Sequence, residues 1–297
     1  MAKKKLLLIV NPVSGRMKIS AAVFDIIKVF SDADYQVTAQ MTRGRGDATD
    51  IVQDLGAQHD LIVLCGGDGT LNEGITGVLR AGLNIPIGYI PCGTTNDFAN
   101  GLGLERDNLK VAAENIVNGK PYAIDIGKFG EYKYFSYIAS FGAFTGTSYS
   151  VPQVNKNMLG HLAYVLEGIK DLPNIKPVHA KVIMEDVIIE DDFIFGSISN
   201  ATSIGGVVKL DSKKVDFSDG RFEVVLVRNP KTAVEISKII LAIQTGRYED
   251  CCINFYHAKE AVFEMTNNEP WALDGEYGMG RVSVNIKVLH NAINIIV

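Results

Sequence analysis

Two periodicities alternate through the first 130 residues. Short apolar runs suited to strands are "KLLLIV", "YQVTAQM", "DLIVLC", "IPIGYIP" and "YAIDIGKF". Between the first two, Val23, Ile26, Ile27 and Phe30 recur at helical spacing, and before the third so do Ala48, Ile51, Val52 and Leu55. Strand and helix in turn predict βαβ units and a mostly parallel sheet. The loops expected at the C-terminal ends of those strands are "NPVSGR", "TRGRGDA", "GGDGT" and "PCGTTNDFA". That edge of an open parallel sheet is where ligands bind. Four small, polar loops on one edge say more together than any one of them alone.

Past residue 130 the pattern changes to longer β-rich stretches: "YKYFSYIASFGAF", "HAKVIMEDVIIEDDFIFGSISNA", "RFEVVLVR", "CINFYHAKEAVFEM" and "RVSVNIKVL". Two amphipathic helices interrupt them, one carrying Leu159, Leu162, Ala163, Leu166 and Ile169, the other covering "TAVEISKIILAIQTG". The second half therefore predicts an antiparallel sandwich or barrel. A chain of 297 residues suits two domains. The expected division is 1–130, an α/β ligand-binding domain, and 131–297, a β-rich domain, with the extreme C-terminus a candidate to return to the first. No repeat or low-complexity linker separates them, so a shared cleft is expected.

Net charge narrows the partners. A value of −5 argues against a dedicated nucleic-acid binder. The four cysteines, Cys65, Cys92, Cys251 and Cys252, fit neither a disulfide framework nor a paired metal motif, which points to reduced thiols and a cytoplasmic protein. The start "MAKKKLLLIVNPVSG" has an apolar core too short for a signal peptide, and no run approaches the ~20 apolar residues of a membrane span. Lys3 to Lys5 could touch an anionic surface or be a solvated start.

Candidate chemistry sits in the glycine loops. "GGDGTLNE" lacks the Gly-Lys-Ser/Thr of a P-loop and is no GxGxxG fingerprint. Backbone N–H groups in such a loop, with a helix starting near Leu71, can still bind a phosphate. Asp68 beside a phosphate would repel it unless a magnesium ion lies between. In "PCGTTNDFA", Gly93, Thr94 and Thr95 offer turn geometry and hydroxyls, and Asn96 both donates and accepts. Each loop by itself is also a plain turn or helix cap.

In the order "NPVSGR" (11–16), "GGDGT" (66–70), "PCGTTNDFA" (91–99), these motifs resemble the catalytic domain of the diacylglycerol kinase superfamily. More narrowly the chain is similar to soluble bacterial lipid kinases related to sphingosine kinase. The resemblance extends through "SFGAFT" (140–145), "LGHLAYVLEGIK" (159–170) and "LDGE" (273–276), and so covers nearly the whole chain. "GGDGT" alone also occurs in NAD kinases, but "GTTNDFA" with a late "DGE" favours a lipid kinase. The fold implied is a phosphofructokinase-like α/β domain followed by a β-rich domain.

The resemblance implies ATP- and magnesium-dependent phosphorylation of a hydroxyl on diacylglycerol or a related lipid. It implies that Asn11, Pro12, Val13, Ser14, Gly15, Thr42, Gly66, Gly67, Asp68, Gly69, Thr70, Leu71, Asn72, Glu73, Thr94 and Asn96 lie at the nucleotide. It makes Asp274 the general base, with Glu276 and Asp68 assisting; by itself "LDGE" reads as a β-turn, since Asp-Gly is a strong turn dipeptide. A structural magnesium is implied at Asp216, Asp219 and the carbonyl of Arg221, although Lys213 and Val215 replace the proline and alanine usual upstream and the loop by itself also reads as a plain solvated turn. Asp125, apolar on both sides, is expected in a network with Asp68 or Asp97, or as a satisfied structural carboxylate. Arg16 is a candidate for phosphate oxygens or a surface arginine, and His161 and His179 are read as structural.

The lipid is expected at a membrane surface, with peripheral association of a cytoplasmic enzyme and a homodimer left open. Phe141, Phe144 and Tyr149 could line an acyl slot or be core. An NAD kinase and a non-catalytic lipid- or nucleotide-binding module are the rival readings.

Overall fold

The computed structural model describes residues 3–143, 175–201, 203–204, 208–209, 216–248 and 252–297. The chain divides into two compact units, Met1–Ile126 with His290–Val297, and Gly127–Leu289.

The first unit alternates β1 (Lys4–Val10), α1 (Lys18–Asp32), β2 (Tyr35–Met41), α2 (Asp47–Leu55), β3 (Leu61–Gly66), α3 (Asp68–Arg80), β4 (Pro86–Pro91), α4 (Asp97–Gly101) and α5 (Leu109–Asn118). Strands β2, β1, β3 and β4 lie side by side in that order, every pair parallel. The run "LLLIV" is buried throughout because the sheet is covered on both faces. On one face Leu6, Leu8, Val10 and Val63 pack with Ile26 and Phe30 of α1 and Ala113 and Ile116 of α5. On the other, glycines bring helices close: a Cβ at Gly74 would lie 2.3 Å from Leu64, and one at Gly77 2.7 Å from Val52. The last residues of the chain rejoin this sheet, Asn294 and Ile295 pairing parallel with Pro86 and Ile87.

The second unit is built on β6 (Lys133–Phe135), β7 (Ile138–Gly142), β8 (Val178–Met184), β9 (Ile188–Ser199), β10 (Ser203–Ile204), β11 (Val208–Lys209), β12 (Phe222–Arg228), β13 (Ile253–Ala258), β14 (Glu260–Leu273) and most of β15 (Glu276–Ile296). β7 pairs β9 and β14, and β8 pairs the same two strands, so four antiparallel strands close on themselves like a small barrel. β12 and β13 extend it beside β9. β5 (Pro121–Phe129) crosses from the first unit into the second, its end forming a hairpin with β6. This is the α/β domain plus β-rich domain anticipated from the pattern.

Trp271 is the hub of the second core, its ring centroid 5.0 Å from Phe141, 5.1 Å from Phe263 and 5.3 Å from Phe129. Phe141 is therefore core, not the wall of an acyl slot; Phe144, Tyr149 and the helix around 159–169 lie outside the described residues. Helix α6 (Ala233–Thr245) forms where "TAVEISKIILAIQTG" places it, opened by a capping box between Thr232 and Glu235 and closed by Gly246 at φ 68°.

Candidate active site

From β1 the chain steps to β2 on one side, while β3 lies on the other, so the C-terminal ends of β1 and β3 flank a reversal of strand order. Loops diverge at such a point and leave a crevice. The loop after β1 is tied across it: Asn11 N–H donates to the Cys65 carbonyl (2.9 Å), and Asn11 Nδ2 to Thr70 Oγ1 (2.9 Å). Asn11 Oδ1 accepts from Val13 N–H (3.2 Å) and its carbonyl from Ser14 N–H (3.2 Å), which sets the curl of Asn11–Gly15. Pro12 is half-buried on that curl and Val13 is 83% exposed.

The loop after β4 then meets both others through bare backbone. Gly15, at φ +64°, would place a Cβ 2.5 Å from the Cys92 carbonyl oxygen. A Cβ on Gly93 would lie 2.7 Å from Gly67 Cα. Only glycine permits these approaches. Three separate loops thus converge on one sheet edge, with Thr42 buried at the rim and its N–H donating to the Val10 carbonyl (2.9 Å).

Helix α3 points its N-terminus into this convergence: Gly67 is its cap residue, Gly69 lies in its first turn, and no side chain caps it. Uncapped first-turn N–H groups and the helix dipole suit an anion. Asp68 sits in the same turn and accepts from Thr95 Oγ1 (3.3 Å), Asp97 N–H (3.1 Å) and Phe98 N–H (3.4 Å), lacing the β3 and β4 loops together. Asn96 adopts φ 50°, is buried, and folds its amide onto the N–H and carbonyl of Gly93. Thr94 beside it is exposed.

Further along α3, Leu71 is in the core and Asn72 half-buried. Glu73 reaches away to the start of α2, accepting from Gly46 N–H (2.8 Å) and Ala48 N–H (3.3 Å). Its carboxylate does for α2 what a cap residue would; Gly46 has no side chain to do it.

In the second unit, Asp274 and Gly275 form the two-residue turn of the β14–β15 hairpin, with φ 48° and 79°, the geometry of a type I′ turn. The Asp274 carboxylate is buried and meets the start of β7. Oδ2 accepts from Ser136 N–H (2.6 Å) and Oγ (2.8 Å), and Oδ1 from Tyr137 N–H (3.0 Å) and Ile138 N–H (3.0 Å). Burial pushes its pKa above the ordinary carboxylate range, outweighing those donors, which act the other way. Glu276, exposed, follows directly and pairs with Leu273 across the turn.

The chain thus holds two chemically distinct elements, an anion-suited loop cluster and a buried carboxylate with an elevated pKa. Comparison with known proteins says what carries this pair. The model of the diacylglycerol kinase catalytic domain matches residues 5–129. A diacylglycerol kinase of Bacillus subtilis (strain 168) is 32% identical over 276 residues, which cover 93% of this chain and 90% of that protein. The chain belongs to the diacylglycerol kinase family. A diacylglycerol kinase of Staphylococcus epidermidis is 30% identical over 296 residues, 99% of this chain and 92% of its own. Among solved structures, a diacylglycerol kinase from Bacillus anthracis str. Sterne superposes with a TM-score of 0.77 at 22% identity, covering 100% of this chain and 97% of that one. A second structure from that organism gives 0.83 at 24%, covering 100% and 96%. At that identity the likeness speaks for the fold.

Membership of a kinase family implies a nucleotide substrate and, typically, a divalent metal. Among the described residues no group of three His, Cys, Asp or Glu side chains could hold a metal ion. In the 216–221 loop, Asp216 Oδ1 accepts from Ser218 N–H and Oγ (both 3.0 Å), and Asp219 Oδ1 from Arg221 N–H (2.8 Å). Each of these carboxylates closes a turn of its own loop through Oδ1, and 211–215 lie outside the described residues.

Asp125 is fully buried and accepts from Asn291 N–H (2.6 Å), with His290 Nδ1 at 3.0 Å. It anchors the C-terminal segment where that segment returns to the sheet. His179 is a surface residue between Glu190 and Asp192, which raise its pKa; His161 lies outside the described residues. The donors at Ser136–Ile138 leave no trace in the sequence, because backbone N–H groups carry no residue signature. No helix among the described residues is long and apolar enough to cross a membrane.

Proposed function

We propose that the chain is an ATP-dependent lipid kinase. It transfers the γ-phosphoryl group to a hydroxyl of diacylglycerol or a related lipid, giving a phosphatidate-type product. The observation that carries this reading is the convergence of Asn11–Gly15, Gly66–Thr70 and Gly93–Asn96 at one reversal of strand order. There Gly67 and Gly93 meet backbone to backbone, an approach that a side chain on Gly93 would prevent.

Asp274 takes the proton of the attacking lipid hydroxyl. The hydroxyl oxygen forms a bond to the γ-phosphorus, the bond to the β,γ-bridging oxygen breaks, and ADP leaves with that electron pair. A pKa raised toward the working pH suits a base that must be ionised yet basic enough to act. The four donors hold the carboxylate in one orientation, so alignment supplies a large share of the rate. Asp68 would face a magnesium ion accompanying the triphosphate, which would supply the charge compensation without which a bare carboxylate would repel phosphate. The lipid is met at a membrane surface, which the protein visits from the cytoplasm.

Radiolabelled ATP offered with a panel of lipids in mixed micelles, and with NAD in a separate arm, tests the reading. Label in a phosphatidate-type product supports it. Transfer to NAD alone, or no transfer with ATP still bound, refutes it in favour of an NAD kinase or a binding module.

A further inference from the structure

The strands β7, β9 and β12 present two different faces. Phe222, Val224 and Leu226 of β12, Ile198 of β9, and Ala139 and Phe141 of β7 point into the aromatic core around Trp271. The alternate positions point the opposite way, and directly paired residues share a face. Glu223 pairs with Ser199, Ser199 with Ile138, and Ser197 with Ser140. Four polar side chains, Glu223, Ser199, Ser197 and Ser140, therefore share this face of three adjacent strands with the apolar Ile138 and Val225.

All are buried: Ser197 and Ser199 are 0% exposed, Glu223 7%. Ser197 Oγ, Ser199 Oγ and Glu223 Oε2 have no hydrogen-bond partner among the described residues. Glu223 Oε1 is 4.0 Å from His257 Nε2, beyond hydrogen-bond reach. Unpartnered buried polar atoms are few in any protein and each costs stability. Three lie on one face, two of them on directly paired residues, so their cost is concentrated at one place.

We infer that this face binds the hydroxyl groups of a polyol-like lipid headgroup, with Ser197, Ser199 and Glu223 as its specificity determinants. Hydroxyls both donate and accept, which is what two serines and a carboxyl group together require. Position supports the link to the reaction. Ile138, whose N–H holds Asp274, is the strand partner of Ser199, one strand spacing away (about 4.8 Å), and Glu223 lies one spacing further. A lipid whose accepting hydroxyl reaches Asp274 can therefore lay a second hydroxyl on this row. The inference rests on the lipid-kinase reading for its substrate, while the site itself can be measured without turnover.

The experiment uses the full chain, 1-monoacylglycerol with two free hydroxyls, and 1,2-diacylglycerol with one. Ser199→Ala should melt at or above the wild-type temperature, since the hydroxyl removed has no partner inside the protein. Its KM for the monoacyl relative to the diacyl lipid should rise about tenfold. Without ATP, monoacylglycerol micelles should raise the melting temperature of the wild type and of Glu223→Gln, which keeps hydrogen-bonding capacity, but less so that of Ser199→Ala and Glu223→Leu. An unchanged specificity ratio together with equal thermal shifts would overturn the inference, as would a clear fall in melting temperature for Ser199→Ala. A shift by magnesium chloride alone that Glu223→Gln abolishes would mark a cation site and overturn it too. If the wild type phosphorylates neither lipid, the kinase reading fails, and the ATP-free shifts still decide the site.

Discussion

Asp274→Asn is the substitution on which the proposed chemistry turns, and the structure fixes what else it should do. Asparagine accepts the left-handed conformation the turn demands, so the hairpin itself can still form. The carboxylate, however, serves four donors, two on each oxygen. The amide keeps one oxygen and turns an NH₂ toward the other pair. A buried donor left unserved costs about 1–3 kcal/mol, so two of them cost about 2–6 kcal/mol. Burial already disfavours the ionised carboxylate, and a neutral amide recovers part of that, which favours the lower half of the range. Even so, this is a sizeable fraction of a stability of about 5–15 kcal/mol. Urea denaturation followed by circular dichroism should show a lower midpoint with an unchanged slope. Turnover of labelled ATP, measured where the variant is still folded, should fall by roughly 10²–10⁴, with ATP affinity within a few fold of wild type. A folded variant that turns over normally would remove Asp274 from the mechanism. A variant as stable as wild type would show that the four donors are not paired as described.

Ser136→Ala removes one donor from the ionised carboxylate, so the acid limb of the pH–rate profile should move up while turnover at alkaline pH survives; an unmoved limb would separate Asp274 from that titration. Gly93→Ala forces a Cβ to within 2.7 Å of Gly67 Cα and should abolish most nucleotide binding, whereas Gly44→Ala, with nothing within 4 Å, should cost little; equal affinities in a titration would refute a role for this close approach in binding. Asp68→Ala should fold, lose most activity and need more magnesium for the remainder; equal rates with wild type across a magnesium titration would dismiss its role at the phosphates. Glu223 has its pKa pushed up to about 8 by burial, from an ordinary 4.5, so its contribution to stability is fully present below about 4.5 and is lost as pH rises through 8. From about pH 6 to pH 9 the wild type should lose about 3 kcal/mol relative to Glu223→Gln, and parallel stability curves for the two would contradict the burial.

Much of the first unit is legible because its signals are local. A run such as "LLLIV" flanked by helical spacing has few alternatives to a covered parallel strand, and the glycines that end β3 and begin the next loop announce close backbone approach. The second unit is legible only as a class. Its ring closure depends on β8 pairing with both β9 and β14, and pairing over such separations leaves no periodic trace. Phe141 shows the cost: alternation predicts that it faces inward from a strand, but whether that interior is a core or a slot depends on Trp271 and Phe263, more than a hundred residues away.

The candidate site divides along the same line, and "LDGE" shows why. Read as a turn or as a base, the dipeptide Asp274–Gly275 looks like a choice between structure and chemistry. In the folded chain the turn is the means by which the carboxylate reaches its place: a I′ turn needs Asp or Asn followed by Gly, and the aspartate it holds at φ 48° is delivered to the N–H groups of 136–138. The aspartate is visible in the sequence because its residue type matters to both roles. Its partners are invisible because any residue supplies a backbone N–H. Glu73 repeats the logic, spending a carboxylate that the motif suggested for a nucleotide on two N–H groups some 25 residues earlier. Residue identity therefore reports a functional position when the chemistry or the backbone conformation needs that side chain, and is silent when the working group is the main chain itself.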